Sequence, residues 1–512
     1  MPKERSLRSF VKGPFLATLM IWLAFLSLPA HAQSLSLLRD AETERFFRDV
    51  TDPILEAAEL DPASVDMYLI NNNSINAFVA GGQNIFVFTG LILASDNSDE
   101  FLGVMAHETC HIACNHLLRR REAASKSAPI QIASLVLGAL AIAAGGGDAG
   151  LGLIMAGQSV AQGQFLAYTR SQEGEADLAG ARYLKEVGYS ADGLIAFFEK
   201  LRQQELFARI RQNPYVRSHP LNRTRILNLQ RAASLNPRHG LGPIPEIEER
   251  YQRIKAKLGG YLSGPQATLN QYPLSDTSIP ARYARVYAWH KAKEWDRAIE
   301  EADALILAEP GNPYFREIKG QILFEAGKID ESLPVFRNAV QLSPAEPLIL
   351  TALGQALIAS EDQPALSEAV PLLKRATILD RENTFAWFNL ARAYGYQGLE
   401  AEANLATAER YAAQGRGGPA VGHARRAMQG FEPGSPQWIR AQDILVQAED
   451  LIRQAQRNSR RRFQPGFNPG IQNFAPYAVP LLEELSSLEP ESMTGLKDGD
   501  GVTIADSVEN DQ

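Results

Sequence analysis

The sequence of 512 residues is several times the length of a typical domain, so we expect more than one domain. Hydrophobic residues make up 45% and charged residues 21% of the chain, which is typical of globular proteins and excludes disordered and fibrous classes. The formal net charge of −8 argues against a nucleic-acid partner, and two cysteines exclude a scaffold held together by disulfides.

Residues 1–32 have the features of a secretory signal peptide. Basic residues between Lys3 and Lys12 precede an apolar run from Phe15 to Leu28, and Ala30-His31-Ala32 matches the small-x-small pattern of a cleavage site. An uncleaved membrane anchor is the alternative, although the run is short for a membrane span. We expect export to a bacterial periplasm, with association at a membrane as a further hypothesis.

Residues 33–235 alternate between helical and strand patterns. Apolar residues recur at helical spacing from Leu35 to about Leu60, and helical character returns near Glu100 and again from Gln172 to about Glu205. Short apolar runs predict three strands: Met67–Ile70, Ala77–Val79 and Asn84–Phe88. This order predicts an α+β domain that is mostly helical and contains a small sheet.

The segment from Ser127 to Gly147 contains no charged residue. Pro129 and the glycines at 145–147 make a complete membrane span doubtful, so we expect a buried or interfacial helix. From its apolarity we also hypothesise that residues 127–147 act as a lid or as a plug in peripheral contact with a membrane. A protease anchored in the membrane by this segment is the alternative.

A second domain is predicted after residues 236–279, which are rich in proline and glycine and predict a linker. Small residues then recur at intervals of 34, 37 and 34 residues: Ala298, Ser332, Ala369 and Ala403. The longer interval predicts an insertion between paired helices, around Glu361 to Pro364. The segment from Trp387 to Tyr394 is similar to the opening of a tetratricopeptide repeat. We expect an all-α tetratricopeptide-repeat solenoid over residues 280–456, with a non-repeating helical bundle as the alternative, and a flexible tail over residues 457–512.

His107-Glu108-Thr109-Cys110-His111 is an HExxH pattern. On a helix the two histidines lie one turn apart on the same face, so both can bind one metal ion. Glu108 can approach a water molecule on that ion from the side and accept its proton, because zinc lowers the pKa of such a water towards about 7. We therefore predict one Zn²⁺ ion per chain, with Glu108 as general base.

A catalytic zinc site takes a third protein ligand, which we expect from residues 173–177. Glu173 and Asp177 share a helix face, whereas Glu175 points away from it. We predict that Glu173 binds the metal and that Asp177 orients a ligand histidine. A solvated acidic helix start is the alternative.

The two motifs, with the strand Asn76–Val79 upstream, resemble those of the gluzincin endopeptidases, and most closely the group that includes the CaaX prenyl protease. Ser218-His219-Pro220, with Arg225 five residues beyond the proline, also matches that group. The resemblance covers roughly residues 40–230. Together with the predicted signal peptide and repeats, it favours the BepA-like branch of periplasmic chaperone-proteases over integral-membrane relatives.

This resemblance implies a zinc-dependent endopeptidase that cleaves misfolded or stalled envelope proteins in outer-membrane protein assembly and quality control. The repeats would recruit partners such as the outer-membrane assembly machinery. His219 would lie near the metal, where it fills the open position of a resting site or stabilises the oxyanion. Arg225 would stabilise the tetrahedral intermediate or pair with Asp177, and the sequence leaves both roles open. A non-proteolytic periplasmic chaperone or adaptor that acts through the repeats is the alternative function.

Three further expectations concern residues around the predicted metal site. Either Asn76–Val79 or Ile85–Phe88 is expected to offer an open edge to an extended substrate. Cys110 and Cys114 are interpreted as small packing residues, or as thiols that compete for zinc or sensitise the site to oxidation. His116 is predicted to be structural, because it lies on the opposite face of the helix from His107.

Overall fold

The computed structural model describes residues 36–143, 147–207 and 214–462. The predicted signal peptide and all but the first residues of the predicted tail lie outside this part of the chain. Within the described residues, no helix is both long and apolar enough to cross a membrane.

The first part of the chain is mostly helical with one small sheet, as predicted. Its elements, within the described residues up to 235, are β1 (Leu37–Leu38), α1 (Ala41–Ala57), β2 (Asp66–Ile70), β3 (Ala77–Ala80), β4 (Asn84–Phe88), α2 (Thr89–Ala94), α3 (Ser98–Ala113), α4 (His116–Ala143), α5 (Gly147–Glu186), α6 (Asp192–Phe207), α7 (Pro214–Ser218) and α8 (Arg223–Ala233). The single helical stretch predicted from Gln172 to about Glu205 is wrong, because Gly188 adopts a φ of +77° between α5 and α6.

The sheet has the strand order β1-β2-β4-β3. β2 and β4 pair in parallel, whereas β3 pairs with β4 in antiparallel register, with Val79 opposite Ile85. Alternation along the strands places Val79 and Ile85 in the main core, while Phe78, Phe86 and Phe88 form a smaller aromatic cluster on the other face. β3 is therefore an edge strand and β4 is central.

α3 runs through the centre of this core. Its amino terminus is capped by Asn97, whose side chain accepts a hydrogen bond from the Glu100 backbone N–H. The neighbouring helix α6 approaches very closely, because a Cβ atom at Gly103 would lie 2.7 Å from the Cβ of Leu194. The packed position of α3 fixes the direction of the side chains that project from it.

The segment predicted as a linker contains two helices. These are α9 (Pro245–Leu262) and α10 (Pro265–Gln271). Tyr251 and Ile254 of α9 belong to the core that contains α3. The division of the chain into domains at residues 235 and 279 stays a prediction.

The rest of the described chain consists of helix pairs that resemble tetratricopeptide repeats, as predicted. The helices are α11 (Ile279–Lys291), α12 (Trp295–Ala308), α13 (Pro313–Glu325), α14 (Ile329–Leu342), α15 (Pro347–Ala359), α16 (Gln363–Leu379), α17 (Thr384–Tyr396), α18 (Glu400–Ala413), α19 (Gly417–Gly430) and α20 (Pro436–Arg462). Ala298, Ser332 and Ala369 are fully buried where paired helices meet. The predicted insertion does not lengthen the loop between helices; it lengthens α16, which has 17 residues against 14 in α14.

Candidate metal centre

The residues predicted to bind metal come together from three separate parts of the chain. α3 carries His107, Glu108 and His111, and α5 carries Glu173. His219 follows directly after α7. All five side chains are at least 95% buried, so the structure gathers an unusual number of titratable groups in one enclosed place.

Nitrogen and oxygen atoms of four residues converge on one point. The Nε2 atoms of His107 and His111 lie 3.2 Å apart. Glu173 places Oε2 3.3 Å from His107 Nε2 and Oε1 3.7 Å from His111 Nε2. The Nδ1 atom of His219 lies 3.2 Å from His107 Nε2 and 2.9 Å from Glu173 Oε2.

Glu108 faces this group but makes no hydrogen bond of its own within the described residues. Both of its carboxylate oxygens are buried without a hydrogen-bond partner, and so is Nε2 of His219, 3.4 Å from Oε1 of Glu108. A buried carboxylate without partners is costly in free energy. The arrangement therefore calls for a bound species beside Glu108.

Asp177 and Arg225 form a hydrogen-bonded chain with His107. Oδ1 of Asp177 lies 3.0 Å from His107 Nδ1. Arg225 donates two hydrogen bonds of 2.7 Å to the Asp177 carboxylate, from Nε and from a terminal nitrogen. Of the two roles left open for Arg225, this geometry favours the pairing with Asp177.

Sequence reasoning missed the role of His116. Its Nδ1 atom lies 2.8 Å from Nδ1 of His111, and its Nε2 atom lies 3.3 Å from Oε2 of Glu175. The expectation that His116 lies away from the site is wrong, because the helix is broken at Asn115, which has a φ of +54°. Asparagine tolerates this left-handed conformation better than most residues, so Asn115 was the signal in the sequence.

A second missed residue is Arg120. It donates a 2.8 Å hydrogen bond to Oε1 of Glu173 and another to the side chain of Gln172. No motif marks this residue, because the contact depends on how α4 and α5 pair.

The surroundings shift the pKa values of the three carboxyl groups in the site in different directions. Burial raises the pKa of Glu108. Burial acts the same way on Glu173, but the three neighbouring histidines, His219, His107 and His111, together outweigh it and hold the pKa of Glu173 well below its ordinary value. For Asp177, burial also raises the pKa, but the hydrogen bonds and charges of Arg225 and His107 together outweigh it and lower the pKa. The surroundings therefore stabilise the charged forms of Glu173 and Asp177 and the neutral form of Glu108.

The pKa values of the histidines His107, His111 and His116 are also shifted in different directions. Burial opposes protonation of His107, but its hydrogen bonds to Asp177 and Glu173 outweigh burial and raise its pKa to about 9. Burial lowers the pKa of His111 well below its ordinary value, and it also lowers the pKa of His116.

The two cysteines lie behind the metal-facing side chains. Cys110 is buried and Cys114 is half-buried, and both are free thiols. With His116 they form a second group whose potential ligand atoms all lie within 4.8 Å of one another. Both ring nitrogens of His116 already have partners, so this group fits the interpretation of the cysteines as packing residues.

A small cavity of about 60 Å³ opens in front of Glu108. Phe78 and Val79 of the edge strand β3 line one side, and His111 and His219 line another. Of the two strands expected to offer an open edge, β3 is the one that does so among the described residues, because β4 is paired on both sides. A chain that paired with β3 would pass directly by Glu108.

Comparison with known proteins agrees with this geometry. The sequence model of Peptidase family M48 matches residues 39–233. These residues form an M48 metallopeptidase domain. All the side chains described above lie in the M48 domain.

The similarity to named M48 proteases extends beyond this domain. The chain is 27% identical over 440 residues to the Beta-barrel assembly-enhancing protease of Escherichia coli K12, which covers 84% of this chain and 86% of the relative. It is also 27% identical over 362 residues to the protein of that name from Yersinia pestis, covering 69% and 73%. Among solved structures, YrrB, described as a tetratricopeptide-repeat protein with an unusual peptide-binding site, matches 34% of this chain and 91% of its own, at 19% identity and a TM-score of 0.28.

Proposed function

We propose that the protein is a periplasmic zinc-dependent endopeptidase that cleaves misfolded or stalled envelope proteins. The observation that carries the proposal is the convergence of two imidazoles and one carboxylate around a point that a buried, unpartnered Glu108 also faces. An edge strand borders the same cavity.

The donor set fits zinc. Zinc binds imidazole nitrogen and carboxylate oxygen at about 2.0–2.2 Å, so two ligands of a tetrahedral site lie about 3.3–3.5 Å apart. The spacings among His107, His111 and Glu173 are 3.2 to 3.7 Å. These three residues would hold the ion.

A zinc ion in this place supplies a Lewis acid and makes a water molecule acidic enough to lose its proton near pH 7. Glu108 would accept that proton and pass it to the departing amine, since its carboxylate faces the cavity and accepts no hydrogen bond from the described residues. Asp177 would fix the tautomer of His107 by accepting from Nδ1, so that Nε2 stays free for the metal. Arg225 would hold Asp177 in place.

His219 would have a separate role in the resting enzyme. Its Nδ1 atom lies at the fourth corner of the donor set, and its ring stacks on Tyr215 with 4.6 Å between centroids. In this position it blocks the place that a substrate carbonyl needs. A swing of His219 away from Glu173 would open the site and bring its imidazole to the developing oxyanion.

The edge of β3 would receive the substrate as an added strand. Backbone pairing at an edge depends little on side chains, which suits an enzyme whose clients are unfolded or misassembled chains. The named relatives support clients among outer-membrane β-barrel proteins, and the predicted signal peptide supports a periplasmic location. The helical repeats would bring partners or clients to the peptidase at the outer-membrane assembly machinery.

Metal analysis tests the proposed centre. We expect one zinc per chain in the purified protein, and much less in His107→Ala and Glu173→Ala variants. His423→Ala is the matched control, because this histidine hydrogen-bonds Asn404 among the repeats and should leave the zinc content unchanged. A chelator should stop cleavage of unfolded casein and added zinc should restore it; a full zinc content in both site variants would refute this ligand set.

A further inference from the structure

The two long helices that leave the metal centre form a hairpin whose outer part is apolar. We call residues 127–143 of α4 and 147–169 of α5 the apolar hairpin. Between Lys126 and Arg170 the sequence contains one charged residue, Asp148. The arm of α4 that belongs to the hairpin has 17 residues and is therefore about 25 Å long.

Small residues occupy the contact between the two arms. A Cβ atom at Gly157 would overlap the side chain of Ser134, so the helices meet closely there. Gly138 and Ala161 are both buried, one turn further along their respective helices. Close contact through small residues four apart is the way helices associate in lipid, where burial of large apolar side chains gives no advantage.

The large apolar side chains point outward instead. Five on α4 are 50% to 63% exposed: Ile132, Leu135, Val136, Leu137 and Leu140. Five more on α5, between Leu151 and Leu166, are 41% to 67% exposed. A hairpin surrounded by water has the opposite arrangement, with large apolar residues inside.

The outward residues also cover too wide an arc for a single protein groove. At 100° per residue, those on α4 span roughly 200° of the helix surface, whereas a helix that lies in a groove presents a stripe of about 100°. With the exposed residues of α5 added, the apolar surface nearly surrounds the hairpin. A lipid phase can cover such a surface, and one flat partner cannot.

Basic residues stand at the base of the hairpin. Residues 116–126 contain the basic residues Arg119, Arg120, Arg121 and Lys126 against the single acid Glu122, and α5 carries Arg170. Arg119 and Arg120 pair with Glu175 and Glu173, so the remaining basic excess comes from Arg121, Lys126 and Arg170. This local excess occurs in a chain of net charge −8. Basic residues directly beside an apolar segment favour anionic lipid headgroups.

We propose that the apolar hairpin inserts into an anionic lipid leaflet and holds the metal centre at the membrane surface. Both arms lead back to the centre, since His116 at the start of α4 contacts Glu175 of α5. Glu173 follows Thr169 by one helical turn, about 6 Å. Lipid binding does not depend on the proposed peptidase activity. Its benefit to the cell rests on that activity, because clients would then be cleaved where they emerge at a membrane.

Vesicle sedimentation tests this proposal with the full exported chain carrying Glu108→Gln, so that its outcome is separate from that of any cleavage assay. We expect the protein to sediment with vesicles of phosphatidylethanolamine and phosphatidylglycerol, and less with phosphatidylcholine alone. Replacing Leu135, Leu137 and Leu140 by glutamine should weaken binding at least tenfold. These side chains are exposed, so the variant should retain its circular dichroism and melting temperature.

A triple variant with equally exposed apolar residues elsewhere is the matched control: Leu274→Gln, Leu307→Gln and Ile378→Gln. It should sediment like the parent protein. Failure of the parent protein to bind any vesicle, or equal loss in both triple variants, overturns the proposal. A change from dimer to monomer in the hairpin variant without lipid would assign the surface to a second copy, and loss of casein binding with normal vesicle binding would assign it to clients; either result also overturns it.

Discussion

At the scale of single residues, the metal centre depends on one buried arginine. Arg225 is 3% exposed and neutralises Asp177 through two hydrogen bonds, while another of its nitrogens lies 3.4 Å from Glu173. Without it, two carboxylates would remain buried in a place that holds few other fixed positive charges. Breaking a buried pair by removing one partner costs far more free energy than the pair contributes when intact.

Arg225→Met should therefore lower the free energy of unfolding by about 3–5 kcal/mol. Arg225→Lys should fall between the wild type and Arg225→Met, because an ammonium group cannot donate to both carboxylate oxygens in the same geometry. Urea unfolding with chelator present measures this without a contribution from bound metal. Arg182→Ala, which removes an exposed arginine from the same helix as Asp177, should change stability by less than about 0.5 kcal/mol; an equal loss in both variants would contradict the account.

His116 is a second single residue that we expect to affect zinc binding, through its contact with His111. A proton on its Nε2 atom would be shared with Glu175, which leaves Nδ1 to accept from Nδ1–H of His111 and leaves Nε2 of His111 free for metal. His116→Ala should weaken zinc affinity by roughly 10–100-fold, as measured by competition with a chromogenic chelator. His239→Ala, which removes an exposed histidine paired with Asp192, should leave the affinity unchanged. Equal affinities in all three proteins would exclude this role for His116.

At the scale of elements, the sequence predicted three of the four strands and the metal helix well, for identifiable reasons, whereas β1 lies in a stretch that was predicted as helical. β2, β3 and β4 begin and end within one residue of their predicted bounds, because short runs of apolar residues are bounded by polar and glycine turns. His107 and His111 share a face because α3 is regular between them. His116 was misplaced because one left-handed residue, Asn115, breaks the helical period on which the prediction relied.

Close packing between α3 and α6 is an element-scale feature that a mutation can test. Gly103→Ala should destabilise the protein by about 1–3 kcal/mol, since the new methyl group would meet the backbone as well as the side chain of Leu194. Gly259→Ala in α9 is the matched change, because there the nearest atom lies at 3.8 Å. Its helix propensity should make it neutral or stabilising by up to about 1 kcal/mol. Thermal melting compares the two variants, and a stable Gly103→Ala protein would show that α6 can move away from α3.

At the scale of the whole molecule, the repeats pack against the peptidase part through buried charges. Glu42 at the start of α1 accepts hydrogen bonds from Arg253 of α9 and from Tyr283 of α11, at 2.6 and 2.9 Å. Further along the repeats, Arg39 pairs with Asp380 at 2.7 Å. No sequence pattern indicated these contacts, because they join residues more than 200 positions apart and follow no local period.

Glu42→Gln should loosen this interface, because it leaves Arg253 and the buried Lys257 with reduced compensation. We expect a loss of about 2–4 kcal/mol in stability and faster trypsin cleavage in the segment around α9 and α10. Glu331→Gln is the control, since that side chain is exposed on α14. If trypsin cut the two variants at the same rate, the buried charges would not hold the repeats in place.

The measurement that tests the central claim most directly is the digestion of unfolded casein by zinc-loaded protein, wild type beside Glu108→Gln. The variant removes one ionisable oxygen and keeps the size of the side chain and the three proposed ligands. We predict equal zinc content in both proteins and cleavage lowered at least a hundredfold in Glu108→Gln. Cleavage by Glu108→Gln at the wild-type rate, or no cleavage by the zinc-loaded wild type, would contradict the assignment of this centre as a zinc endopeptidase.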